Sequence, residues 1–187
     1  RDSLPRIPSA RRSTGSSAGP VMVALNHPSW WDPITCCVLS RLFPGRAHFA
    51  PIDAKSLQQY RFFRKLGFFG IERDRLSGAG SFLRNSLAVL DRPDAVLWIT
   101  AQGEFADARI RPLSLRPGVG HLAARASHAT VLPLAIEYTF WNERLPEVLC
   151  AFGEPIDSAA SDNRAEEWTK RIEIALESTQ DHLREQS

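Results

Sequence analysis

The chain of 187 residues is 43% hydrophobic and 24% charged, with a formal net charge of +2. It holds apolar material for one ordinary core and enough charge to stay in solution. No run approaches the roughly 18 consecutive apolar residues of a membrane span. The small net charge, without a zinc-finger, basic-zipper or aromatic RNA-binding signature, argues against nucleic acid as a partner.

Residues 1–20 carry Arg1, Arg6, Arg11 and Arg12 against Asp2, among Ser, Pro, Gly and Ala. With about +3 and almost nothing to bury, this segment is expected to be a poorly ordered basic arm. It lacks the apolar stretch of a secretory signal, and its opening on Arg1 rather than Met leads us to expect sequence upstream. Residues 21–187 then form one domain. The final 34 residues carry about −5, which leaves about +4 on the middle of the chain.

That middle alternates short β-branched or aromatic runs with longer amphipathic ones, the pattern of an α/β structure with one sheet flanked by helices. Residues 21–26 read as a buried strand, 33–43 as a helix, 47–52 as a strand and 54–66 as a helix rich in cations and aromatics. A short strand over 68–72 and a helix over 80–90 follow. Residues 95–100 read as a strand, 119–127 as a helix, and 129–138 and 147–153 as two more strands. In the last helix Trp168, Ile172, Ala175, Leu176, Thr179 and Leu183 form one apolar stripe on an acidic background, with Asp162 as its expected N-cap. Packing is its expected task.

Chemistry concentrates in Asn26-His27-Pro28-Ser29-Trp30-Trp31-Asp32-Pro33, between the first strand and the first helix. Sites in α/β sheets lie at such places. If Asp32 accepts the proton on one imidazole nitrogen of His27, the other nitrogen becomes a base of fixed orientation, able to take a proton from an alcohol. The alternative is that Asp32 only caps the helix that Pro33 opens, with His27 hydrogen-bonded in a loop.

Three further segments bear on that choice. Leu66-Gly67-Phe68-Phe69-Gly70-Ile71-Glu72-Arg73 ends on an arginine, Ile99-Thr100-Ala101-Gln102-Gly103-Glu104-Phe105 runs from a strand into a turn, and Val131-Leu132-Pro133-Leu134 is an apolar strand holding a proline. Together the four blocks, over residues 21–153, resemble the glycerophospholipid acyltransferase family typified by lysophosphatidic acid acyltransferase. Asn26, His27, Ser29 and Asp32 match its Asn-His-x-Ser-x-x-Asp motif. Gly67, Ile71 and Arg73 are similar to its Gly-x-x-x-Ile-x-Arg type motif, with one spacing residue more than the commonest form, and Pro133 falls in its Val-Pro-Leu segment. Against the family's Phe-Pro-Glu-Gly-Thr-Arg, residues 100–105 keep only Gly103: Gln102 stands for the glutamate and Phe105 for the arginine.

The resemblance implies O-acyl transfer from a fatty-acyl thioester, of coenzyme A or acyl carrier protein, to a lipid hydroxyl, with no bound cofactor, no metal and no covalent enzyme intermediate. It implies His27 as general base and Asp32 as its orienter, Arg73 on phosphate or oxyanion, and the Gln102-Gly103 turn in acceptor placement. Because Phe105 offers a phosphate no donor, either Arg109 or Arg111 reaches back from the following loop, or the acceptor lacks a phosphate, as a glycolipid hydroxyl does. A non-catalytic lipid-binding module is the reading from another class. The substrates imply a cytoplasmic protein peripheral at the membrane face.

Tyr60 to Phe69 mixes aromatics with Arg61, Arg64 and Lys65, which suits either an anionic bilayer surface or a core helix with snorkelling cations, and the second is slightly favoured. Cys36, Cys37 and Cys150, with no Cys-x-x-Cys spacing, leave neither a disulfide framework nor a zinc site and suit a reducing compartment. Cys36 and Cys37 lie in an apolar run and read as small core residues rather than nucleophiles. Ser29 has no Gly-x-Ser-x-Gly elbow. The pairs Gly78-x-Gly80 and Gly118-x-Gly120 read as turns, and His48, His121, His128 and His182 lack ligand spacing.

Overall fold

The computed structural model describes residues 19–72, 76–142, 144–156 and 164–186. Most of the basic arm, Arg73 and Asp162 therefore lie outside the described residues. The strands are β1 (Val21–Leu25), β2 (Ala47–Asp53), β3 (Phe68–Ile71), β4 (Ala95–Thr100), β5 (Thr130–Thr139) and β6 (Glu147–Phe152). They form one sheet in the order β3-β2-β4-β1-β5-β6. β1 to β5 run parallel and β6 pairs antiparallel with β5. The architecture is thus the single mixed sheet with flanking helices that the alternating pattern predicts.

Strands covered on both faces need apolar side chains at every position. β1 meets that requirement: Met22 and Ala24 enter one core while Val23 and Leu25 enter the other. β4 divides likewise, Leu97 and Ile99 against Val96 and Trp98. The first core is closed by α3 (Leu76–Leu90), α4 (Pro117–Arg125) and α5 (Ala165–Gln186), the last contributing Trp168, Ile172 and Leu176. The second is closed by α1 (Asp32–Leu39) and α2 (Ala54–Gln59) through Cys36, Leu39 and Leu57.

This arrangement makes a crevice. The chain leaves the carboxyl end of β1 for α1 on one face, and leaves the carboxyl end of adjacent β4 for α4 on the other. Two neighbouring strands whose connections diverge leave a gap between their loops, where ligands of open α/β sheets bind.

Three local expectations are corrected. The single helix over 54–66 is interrupted: Asp53 caps α2 by accepting from the amides of Lys55 and Ser56, Tyr60 leaves helical geometry, and residues 61–66 wind as a 3₁₀ helix ending at Gly67. A change of winding at Tyr60 turns Phe63 into the core and Phe62 and Leu66 outward among Arg61, Arg64 and Lys65, so the snorkelling-helix reading holds only for the buried rings. The two glycine pairs are not turns but lie within α3 and α4. A Cβ on Gly120 would collide with the hydroxyl of Thr169 and the carbonyl of Ala165, so this glycine lets α4 and α5 cross closely.

Candidate active site

His27 follows β1 directly, and Asp32 opens α1 after a turn closed by the Asp32 amide on the Ser29 carbonyl. His27 Nδ1 lies 2.6 Å from Asp32 Oδ2, which also accepts the Ser29 amide at 3.3 Å. Asp32 is 1% exposed and His27 9%. An ionised carboxylate only accepts hydrogen bonds, so Nδ1 carries the proton and the lone pair sits on Nε2. Among the described residues no group hydrogen-bonds Nε2. The N-cap of α1 is Trp31, with no side-chain cap bond. Asp32 is therefore not the cap, and its carboxylate is turned back on the imidazole.

Neighbouring strands fix both loops. Asn26 donates through Nδ2 to the Ile136 carbonyl and accepts the Ile136 amide, each at 2.8 Å, which locks the end of β1 to β5. Two residues further along β5, the Tyr138 hydroxyl donates to Asp32 Oδ1 at 2.9 Å and lies 2.9 Å from Thr35 Oγ1. Burial pushes the Tyr138 phenol well above its ordinary range, which keeps it protonated and a donor. Sequence reasoning missed Tyr138 and Thr35. The available signal was a tyrosine at the carboxyl end of a strand beside β1.

Gln102 is buried, and both ends of its amide are committed to backbone: Oε1 accepts the His27 amide at 3.0 Å and Nε2 donates to the Leu113 carbonyl at 3.2 Å. The side chain is thus a tie between His27 and the loop after β4. Gly103 has φ 70°, and a Cβ there would meet Arg116 Cγ at 2.8 Å. The exposed Phe105 ring lies against the His27 imidazole, their centroids 4.3 Å apart.

The two loop arginines part company. Arg109 is exposed and pairs with Glu137 at 3.5 Å. Arg111 donates to the carbonyls of Ala108 and Ile110 and pairs with Asp181 of α5 at 3.0 Å. α5 also holds this loop through Glu177 on the Leu113 amide, Glu173 on the Ser114 amide, and Gln180 and Arg184 on the Ala108 carbonyl. Its acidic face has a task beyond packing.

Cys36 is buried and Cys37 and Cys150 partly so, all three as free thiols. Burial above all, with the Asp32 charge adding to it, pushes Cys36 well up and Cys150 to about 12. No group of metal-ligating side chains is found among the described residues.

A buried His–Asp pair at the carboxyl ends of parallel strands is the centre of the site in this α/β protein. Residues 5–137, more than half of the chain, match the profile of the family described as Acyltransferase, and the protein belongs to that family. No curated protein matches the chain.

Proposed function

We propose that the protein moves a fatty acyl group from an acyl thioester, of coenzyme A or acyl carrier protein, to a hydroxyl of a lysophospholipid-like acceptor. The reading rests on one observation: the 2.6 Å contact that fixes His27 against Asp32 and leaves Nε2 facing no protein partner among the described residues. In the proposed reaction Nε2 takes the acceptor's hydroxyl proton and the alcohol oxygen attacks the thioester carbonyl. The tetrahedral intermediate then expels the thiolate, the C–S bond breaks, and the imidazolium returns the proton to sulfur. The thioester is already activated, so positioning and one base are sufficient.

Two observations favour a second reading, an acceptor without phosphate. Phe105 occupies the place of the family arginine beside His27, and Gln102 is committed within the protein. In the phosphorylated reading Arg73, Arg109 and Arg111 are the charged candidates.

We also propose that the protein works at a membrane surface. Support comes from Trp30, Trp31, Phe62, Leu66 and Phe105, all exposed, beside Arg61, Arg64 and Lys65 in a stretch from Ala54 to Ile71 without an acid. Apolar rings among cations suit an anionic lipid interface. No described helix is long and apolar enough to cross a membrane.

The test is incubation with labelled acyl-coenzyme A or acyl carrier protein thioester and a panel of lipid alcohols that includes lysophosphatidic acid and a neutral glycolipid, with products identified by mass. An acylated lipid is expected. Label that stays on the thioester or appears only as free fatty acid would overturn the proposal.

A further inference from the structure

We propose that Tyr138 is a positioning residue for the His27–Asp32 pair, its hydroxyl braced by Thr35 and bonded to the carboxylate oxygen that His27 does not use. The inference rests on the base reading of His27 and adds β5 to the elements that hold the pair.

The Asp32 carboxylate has three donors from two parts of the chain: His27 Nδ1 and the Ser29 amide of the loop after β1 on Oδ2, and the Tyr138 hydroxyl of β5 on Oδ1. A carboxylate held on one oxygen can still rotate about its last torsion. A donor on the other oxygen removes that freedom, and it also draws negative charge away from the side that faces the imidazole. The phenol proton points to the carboxylate, since that group only accepts, so Thr35 Oγ1 donates in turn to the phenol oxygen at 2.9 Å. The line Thr35, Tyr138, Asp32, His27 therefore has one consistent direction of donation from Thr35 to Asp32, with His27 donating from the opposite side. Tyr138 is itself held in place because Asn26, the residue before His27, is bonded on both sides to the backbone of Ile136. The strand that carries Tyr138 is thus registered against the strand that carries His27.

Other groups face the pair without competing for the role. Cys36 of α1 and Cys150 of β6 lie near the carboxylate, but burial pushes both thiols up, Cys150 to about 12, so neither is charged near neutral pH. Glu137, adjacent on β5, is paired with Arg109.

Tyr138→Phe keeps the ring and removes only the donor. The carboxylate then attracts the imidazolium more strongly, so His27 holds its proton to higher pH, while its orientation is less defined. Two readouts follow. The histidine titration is followed by NMR, with His27→Gln identifying the His27 signal. Acyl transfer is followed from pH 5 to 9 with oleoyl-coenzyme A and whichever panel lipid accepts the acyl group. We expect the His27 midpoint and the acidic limb of kcat/KM to rise together by roughly half a pH unit or more. We expect kcat to fall about tenfold and KM for the thioester to stay within about twofold.

Thr35→Val, which leaves the phenol in place, is expected to move the midpoint in the same direction by less. It decides the question if Tyr138→Phe does not fold. An unmoved His27 midpoint in either folded variant would overturn the proposal and leave Tyr138 as a tie between β5 and α1. The titration needs no substrate, so a shifted midpoint in a protein without acyl transfer would retain the positioning role and remove the reaction assigned to it.

Discussion

Gln102→Glu restores the residue that the resembled family carries in its third motif, and the geometry predicts that this protein tolerates it poorly. The Gln102 side chain is 3% exposed, accepting from the His27 amide and donating to the Leu113 carbonyl. A carboxylate can make the first bond but not the second, because an ionised carboxyl has no donor. A buried charge left facing a carbonyl oxygen costs about 3–5 kcal/mol. Protonation is the escape, since a neutral carboxyl donates to Leu113, and it raises the folded-state pKa above the roughly 4.3 of an unfolded glutamate. For a carboxyl raised in this way, stability is intact below the unfolded pKa and falls by about 1.4 kcal/mol per pH unit above it, until the folded pKa is reached. A folded value near 7 gives a loss of about 1 kcal/mol at pH 5 and about 3.7 kcal/mol at pH 7. At roughly 2–4 °C per kcal/mol for a domain of this size, Tm should fall about 2–4 °C at pH 5 and about 7–15 °C at pH 7. Differential scanning calorimetry at the two pH values measures both. A Tm within about 2 °C of wild type at both would refute the bridging role of the amide and return Gln102 to the substrate pocket.

Asp32→Asn should fold and lose turnover by roughly 10² to 10⁴, because the position is not the helix cap and the charge facing the imidazole is lost, while the amide can keep its oxygen on the His27 side and donate from nitrogen to the Tyr138 oxygen. An active but thermally weakened variant in the same assays would make Asp32 a folding residue. Phe62→Ser with Leu66→Ser, both exposed, should weaken co-sedimentation with phosphatidylglycerol vesicles roughly tenfold, from about 0.7 kcal/mol or more of apolar burial per side chain. Equal sedimentation of variant and wild type would move the lipid contact elsewhere. With Cys36 pushed well up and Cys150 to about 12, iodoacetamide at pH 8 should leave both unlabelled by mass while the protein is folded, and labelling should begin on denaturation. Rapid alkylation of folded Cys36 would contradict the buried, protonated thiol.

Much of this architecture is legible where one local property decides the outcome. β1, and β4 from Ala95 to Ile99, are apolar at every position because both of their faces are covered, and the stripe from Trp168 to Leu183 marks α5 by its period alone. The break at Tyr60 is not legible, since residues 54–66 have helical spacing throughout and the interruption follows from burying Phe63 against the sheet. Gly118 and Gly120 have the composition of a turn, and only packing explains them in a helix: Gly120 faces α5 at the crossing and Gly118 faces Phe82 of α3. At the site, the five-residue step from His27 to Asp32 is visible in sequence. Tyr138 is bonded to Asp32 across a separation of 106 residues, and only strand order brings it there. Gln102 is read from the motif as part of a pocket, because the sequence does not reveal that Leu113 and His27 take up its amide.

The most direct test of the account is the rate of acyl transfer by His27→Ala against wild type, at saturating thioester, with the acceptor that the lipid panel identifies. Without its base the variant should turn over roughly 10² to 10⁴ times more slowly, with a Tm close to wild type. Turnover equal to wild type in a folded His27→Ala protein would contradict the proposed mechanism at its centre.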